Sequence, residues 1–226
     1  MAGNKIEAIV CDYDRTLTDE SLVLSEAAAA SLMGARMNGI KVFVASGRRL
    51  PFLVGVNEGR GFADCIIAEN GAVIYDPVDG TKTLLGEGLG ELKAAFAGVD
   101  FVAIEEVIVA TTIEHLEAVE AIVIGSGLSV DIELNRDDVM VMPKGVNKGS
   151  GIVKAAEMYG IERAHLACVG DAENDLGMFA VAGVRVAVAN AVDALKSEAD
   201  IVCNEPYGSG VAEFVRSCLR GVALQD

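Results

Sequence analysis

The chain has 226 residues, of which 52% are hydrophobic and 23% charged, so it can bury a sizeable core and is not a disordered polypeptide. Its 34 acidic against 18 basic residues give a formal net charge of −16, which excludes nucleic acid and anionic membrane faces as electrostatic partners. A small anionic substrate would meet the same field, so a bound cation and a few local Lys or Arg would have to make its pocket positive.

Other classes fall away with simple counts. Cys11, Cys65, Cys168, Cys203 and Cys218 are widely spaced and read as reduced thiols in a reducing compartment. His115 and His165 are too few for a histidine zinc site. No apolar run approaches the roughly 20 residues of a membrane helix, and the N-terminus lacks a signal-peptide plan, so a cytoplasmic protein is expected. The apolar composition is compatible with a homodimer but locates no interface.

In chain order, the first predicted strand runs from Ile6 to Cys11 and breaks into Asp12-Tyr13-Asp14-Arg15-Thr16-Leu17-Thr18. Ser25 caps an alanine-rich helix that reaches about Asn38, with Gly39 as its stop. A strand over Ile40 to Ala45 ends in Ser46-Gly47-Arg48-Arg49, and Pro51 opens a helix that Gly59 to Gly61 end. The strand Cys65 to Ala68 runs into Glu69-Asn70-Gly71, and a hairpin follows with arms Ala72 to Tyr75 and Thr81 to Leu85. From about Gly86 the rhythm changes: helix Leu89 to Phe96, strand Glu106 to Ala110, helix Glu114 to Gly125, then strands Ser129 to Leu134 and Val139 to Met142 about a turn at 135–138. Strand and helix then alternate again: helix Lys148 to Tyr159, strand Ala164 to Val169, helix Leu176 to Ala182, strand Val184 to Ala189, helix Val192 to Glu198, strand Asp200 to Cys203 and helix Gly210 to Leu219. This pattern predicts an α/β protein: a Rossmann-like, doubly wound parallel sheet core formed by 1–85 and 148–226, with a small α+β cap domain, 86–147, inserted.

The chemistry concentrates at strand ends. Asp12 and Asp14 follow the first strand, and Gly170-Asp171-Ala172-Glu173-Asn174-Asp175 follow the one ending at Val169. Carboxyl ends of parallel strands share one edge of a sheet, so the two acidic groups converge there. Close carboxylates repel unless a cation lies between them or one keeps its proton. Mg²⁺ suits such a site, with Asp12, the Asp14 carbonyl and Asp171 as ligands and Asp175 as a further ligand or an orienting group. Glu173 is the weaker candidate and reads as an exposed loop acid. Phosphate also needs donors: Ser46 and Gly47 offer a hydroxyl and backbone N–H groups, and Lys148, at a helix start, offers a cation. Lys144 competes with Lys148, which is preferred because Asn147-Lys148-Gly149 stands at the return from the insert.

Taken in order, Asp12-Tyr13-Asp14-Arg15-Thr16, Ser46 within Ala45-Ser46-Gly47-Arg48, Lys148, and the 170–175 stretch resemble the four motifs of the haloacid dehalogenase superfamily of aspartate-nucleophile hydrolases. The insert resembles the type II cap in the small form found in archaeal phosphoglycolate phosphatases and related sugar-phosphate phosphatases, and Asn70-Gly71 and Asn190-Ala191 are similar to recurrent positions of that branch. Arg15 departs from it, standing where Gly is usual and leaving substrate choice open.

The resemblance implies a Mg²⁺-dependent phosphatase of a small phosphorylated metabolite, with phosphoglycolate the first choice and a sugar phosphate, a mannosyl-phosphoglycerate-like ester or a phosphotransferase reaction the alternatives. Asp12 would be the nucleophile and Asp14 the acid and base, protonated at the start through neighbouring carboxylate charge. Thr16, Ser46, Gly47, Lys148, Asn174 and Asn190 would hold phosphate or substrate; Asp12, Asp14, Asp171 and Asp175 would hold the metal. Arg15, Arg48 and Arg49 read as surface or supporting charges. The rivals are a phospho-accepting receiver domain, which needs a far shorter chain and no second Asp, and a non-catalytic metal-binding protein.

Overall fold

In the computed structural model, which describes residues 5–135 and 137–221, β1 (Ala8–Asp12) is buried along its whole length. That burial requires cover on both faces, and helices supply it. The first part of the chain continues with α1 (Glu26–Met37), β2 (Lys41–Ala45), α2 (Leu50–Asn57), β3 (Cys65–Ala68), β4 (Val73–Tyr75) and β5 (Lys82–Leu84). Next come α3 (Leu89–Ala95), β6 (Ala103–Ile104), β7 (Val109–Thr112), α4 (Leu116–Ser126), β8 (Val130–Asn135) and β9 (Asp138–Pro143). The last part is α5 (Lys148–Tyr159), β10 (Leu166–Gly170), α6 (Leu176–Phe179), β11 (Val184–Ala187), α7 (Asp193–Glu198), β12 (Ile201–Val202) and α8 (Tyr207–Leu219).

Among the described residues there are two sheets. The larger has eight strands in the order β12-β11-β10-β1-β2-β3-β4-β5, parallel throughout except for the antiparallel β4 and β5. The smaller is antiparallel, in the order β6-β7-β9-β8, and α3 and α4 share an apolar cluster with it through Leu92, Phe96, Val109, Val119 and Val141. Met140 and Met142 of β9, with Val107 and Ile108 just before β7, instead join the core of the larger sheet, so the other side of the smaller sheet lies against that core. The fold is thus α/β, built on a mostly parallel sheet.

Register fixes where chemistry can occur. β1 lies between β10 and β2, with Asp12 opposite Ala45 and Cys11 opposite Val169. Asp12, Ser46 and Asp171 therefore leave the sheet side by side at one edge. Helix ends follow their sequence signals: Ser25 accepts from the Ala28 N–H, and Asn147 with Ser150 forms a reciprocal capping box at the start of α5.

Several elements differ from the sequence-based boundaries. Glu106 to Ile108 are not strand; their N–H groups go to the Glu69 carboxylate, and β7 begins only at Val109. The short β6 has no alternating pattern to announce it. Helix α8 begins at Tyr207 rather than Gly210, because Gly208 and Gly210 serve contact rather than termination: a Cβ on Gly208 would meet the Ser25 Cβ at 2.3 Å. Helix α6 stops at Phe179, and α4 begins at Leu116 after a single tight turn. Arg136 of the expected 135–138 turn lies outside the described residues, while Asn135 and Asp138 pair across it.

Candidate active site

Asp12 ends β1 with its side chain 7% exposed, and its Oδ1 accepts from Lys148 Nζ at 2.7 Å. Lys148, in the first turn of α5, is 1% exposed and also donates to Asp175 Oδ1 at 2.7 Å. The other oxygen of Asp175 accepts from the N–H groups of Asp171 at 2.9 Å and Ala172 at 3.2 Å. This fold-back needs Gly170, since a Cβ there would lie 2.5 Å from Asp175 Oδ2. Thr16 completes the set by donating its hydroxyl to Asp171 Oδ1 at 3.2 Å.

Acidic groups are concentrated in this cluster. Asp12, Asp171 and Asp175 are three buried carboxylates whose ligand atoms all lie within 4.8 Å of one another. Lys148 places its ammonium between two of them, Asp12 and Asp175. Burial pushes the Asp12 carboxyl well up, against the pull of Lys148 and with the help of Asp175 and Asp171. Lys148 is buried too, but the two carboxylates hold its ammonium well above the ordinary lysine value. Three hard oxygen donors gathered within 4.8 Å fit a hard divalent cation.

Asp14 stands apart from this cluster. Its carboxylate takes a bidentate pair from Arg48, with Nε at 3.0 Å and Nη2 at 2.8 Å, and Arg48 lies over the Phe52 ring at 5.3 Å. The neighbour in contact with Asp14 is therefore a cation, not the carboxylate expected from the sequence, and the pair must open before Asp14 can give a proton to anything else. The Asp14 hydrogen bond also raises the Arg48 guanidinium above its ordinary value, against its partial burial.

A cavity of about 500 Å³ opens onto these groups. Asp12, Asp14, Gly47, Lys148, Asp171 and Asn174 contribute to its floor, and Glu105, Ile108, Ala110, Asn135, Asp138 and Met140 of the smaller sheet and its loops face them. Asp175 and Thr16 are fully buried behind Lys148 and Asp171. Ser46 is 1% exposed and its Oγ accepts from the Arg48 N–H at 3.2 Å. Glu173 is exposed and outside the cavity lining. Lys144 is also outside it, and pairs with Asp131 in solvent.

Asn190 has a different place from the substrate-binding one expected. Its Nδ2 donates to the Arg15 carbonyl at 3.0 Å and its Oδ1 accepts from the Tyr207 N–H at 2.6 Å, so it ties two loops together beside the cavity. The loop it holds is strained: Arg15 has φ +63°, a left-handed conformation that costs a non-glycine residue about 1–2 kcal/mol.

Sequence reasoning missed two connections. The sequence reads Arg48 as a surface or supporting charge, whereas it pairs with Asp14, two residues past the end of β1. Glu69, 1% exposed and left-handed at φ +50°, accepts from the N–H groups of Glu106, Val107 and Ile108 at 3.1, 2.8 and 3.2 Å. It fastens the loop carrying Glu105 and Ile108 into the cavity to the end of β3. No local pattern announces a partner almost forty residues away.

Comparison with known proteins agrees with this geometry. The model of the haloacid dehalogenase-like hydrolases matches residues 9–89 and 102–215. The phosphoglycolate phosphatase of Archaeoglobus fulgidus is 34% identical over 222 residues, covering 94% of this chain and 96% of that one. That of Methanoculleus marisnigri is 33% identical over 226 residues, covering 93% and 96%. The crystal structure of Thermoplasma acidophilum 0175 superposes with a TM-score of 0.80 at 23% identity, covering 95% of this chain and 99% of that one, which is a likeness of fold. With nearly the whole chain matched and the carboxylates and lysine gathered at the end of the central strand, the chain belongs to the haloacid dehalogenase-like hydrolases.

Proposed function

We propose that the protein is a Mg²⁺-dependent phosphatase of a small phosphorylated metabolite, acting through an aspartyl-phosphate on Asp12, with phosphoglycolate the substrate of first choice. The observation that carries this reading is the cluster of Asp12, Lys148, Asp171 and Asp175 at the floor of the cavity, three carboxylates with ligand atoms within 4.8 Å of one another around one buried ammonium. The choice of phosphoglycolate rests on relatives of that name at 31 to 34% identity along almost the whole chain.

Asp12, Asp171 and Asp175 would hold the metal, joined by the Asp14 carbonyl, and when bound Mg²⁺ would offset the repulsion between the Asp12 carboxylate and phosphate. Asp12 forms the new O–P bond in line with the leaving oxygen, and the bond to the alcohol breaks. Asp14, released from Arg48, gives the leaving alkoxide its proton and later takes one from the water that attacks phosphorus and frees Asp12. The 32% exposure of the Asp14 side chain leaves it room to swing. Lys148 and the Ser46 hydroxyl hold equatorial oxygens, with Gly47 and Asn174 lining the floor beside them. Thr16 orients Asp171, and Asn190 positions the Arg15 loop.

A second reading, a sugar phosphate, is favoured by Glu105, Asn135 and Asp138, whose polar side chains on the cap side can take hydroxyl groups. The four buried cysteines, all free, suit a reducing compartment, and we place the enzyme in the cytoplasm. Among the described residues, no helix is long and apolar enough to cross a membrane.

The test is phosphate release with Mg²⁺ from phosphoglycolate, hexose phosphates, phosphoglycerate esters and an aryl phosphate, beside Asp12→Asn. Turnover lost in the variant supports the reading, and the highest kcat/KM chooses between the substrates. Wild-type protein that binds Mg²⁺ and releases phosphate from none of them contradicts it.

A further inference from the structure

Arg15 combines three features that the proposed chemistry leaves unused. It lines the catalytic cavity, as does its chain neighbour Asp14. Its backbone is held left-handed, pinned by its N–H donating to Thr18 Oγ1 at 2.7 Å and by Asn190 on its carbonyl. Among the described residues its guanidinium pairs with no carboxylate and no carbonyl, whereas the other partly or fully buried cations of the cavity, Arg48 and Lys148, are both paired. An unpaired, half-buried guanidinium is conspicuous in a chain of net charge −16. Strain kept at a site by two hydrogen bonds, where glycine would carry none, points from the outlier to a use for the side chain.

We propose that Arg15 is a specificity-determining residue that makes a bidentate contact with an oxyanion on the leaving group, a carboxylate or a second phosphate. The inference rests on the phosphatase reading above. The planar guanidinium fork matches both groups, and the phosphoryl centre already has Lys148 and Ser46 as donors. The cap side of the cavity presents Glu105 and Asp138, which repel an anion. An anionic leaving group is therefore directed to the core side, whose lining includes Arg15 and Arg49.

The test compares wild type, Arg15→Gly and Arg15→Lys on three esters: phosphoglycolate, 2-hydroxyethyl phosphate, which replaces the carboxylate by a neutral hydroxymethyl group, and a glycerol bisphosphate. Glycine is at ease at this φ, so Arg15→Gly is expected to fold with a Tm at or above that of wild type. The expected result is a ~10- to 100-fold fall in the ratio of kcat/KM for an anionic ester to that for 2-hydroxyethyl phosphate, carried by KM and partly restored in Arg15→Lys. A fall for phosphoglycolate identifies a carboxylate, and a fall for the bisphosphate alone identifies a second phosphate. Equal losses on all three esters, or ratios within twofold of wild type, overturn the inference while leaving the phosphatase reading standing. Wild-type protein inert on every ester overturns that reading itself, and this one with it.

Discussion

Replacing Lys148 by Met tests the electrostatic core of the site. Lys148 is 1% exposed and bridges Asp12 and Asp175, both at 2.7 Å, so Lys148→Met keeps the side-chain volume and takes the ammonium away from both buried carboxylates. Removing one partner of a buried ion pair costs about 3–5 kcal/mol. For a chain of this size that corresponds to a Tm lower by about 6–20 °C. The assay is urea and thermal unfolding at pH 7 in metal-free buffer, repeated with Mg²⁺. Because the variant has one positive charge fewer beside the same carboxylates, Mg²⁺ should raise its Tm by more than it raises that of wild type. Asp12→Asn in the same chain removes one stranded charge, so the double variant should be more stable than the sum of the single losses. A metal-free loss under about 1 kcal/mol, with no larger gain from Mg²⁺, would refute the charge argument.

Three further perturbations bear on how the site is held. Glu69→Ala leaves the N–H groups of Glu106, Val107 and Ile108 without their acceptor, and their amide exchange should quicken by ~10- to 100-fold, with KM rising as the loop loosens. Unchanged protection at those amides would deny the fastening. In Asp64, 8% exposed, burial alone would raise the carboxyl, but Arg36, the Val42 N–H and Lys41 hold it below the ordinary aspartate value. Its stabilisation is therefore present above the unfolded aspartate pKa and lost as pH falls through the lower folded one. Asp64→Asn should be about 2 kcal/mol less stable at pH 7, and urea titrations should show the difference closing in that acid range; a constant difference would contradict it. Gly71→Ala would put a Cβ 2.0 Å from the Asn147 carbonyl oxygen at φ +101°, costing about 2–5 kcal/mol and displacing Lys148. A wild-type urea midpoint for that variant would show the contact to be soft.

How much of this was legible in the sequence depends on the range of the interaction. Helix α5 has its sequence-based bounds at both ends, where Asn147 caps it and Gly160 follows it in a left-handed conformation, features that act within one turn. The central strands were legible as apolar runs, and their parallel order carried Asp12, Ser46 and Asp171 to one edge before any contact was known. Glu106 to Ile108 read as strand because they open a short apolar run that continues to Ala110, but their N–H groups are taken by Glu69. Arg48 reads as a surface charge because its partner, Asp14, lies past another strand end, and the bonds by which Asn190 joins the Arg15 and Tyr207 loops connect residues far apart in the chain. Periodicity reports which face of an element is buried; it does not report which side chains meet across elements.

The central claim is that Asp12 carries the phosphoryl group during turnover. Acid quenching during steady turnover with Mg²⁺, followed by borohydride reduction and peptide mass spectrometry, reads this directly, because an aspartyl-phosphate is reduced to homoserine. The account predicts homoserine at position 12, dependent on substrate and on Mg²⁺, and at no other carboxylate. Phosphate released at the full rate with Asp12 unmodified, or homoserine at another position, would contradict it.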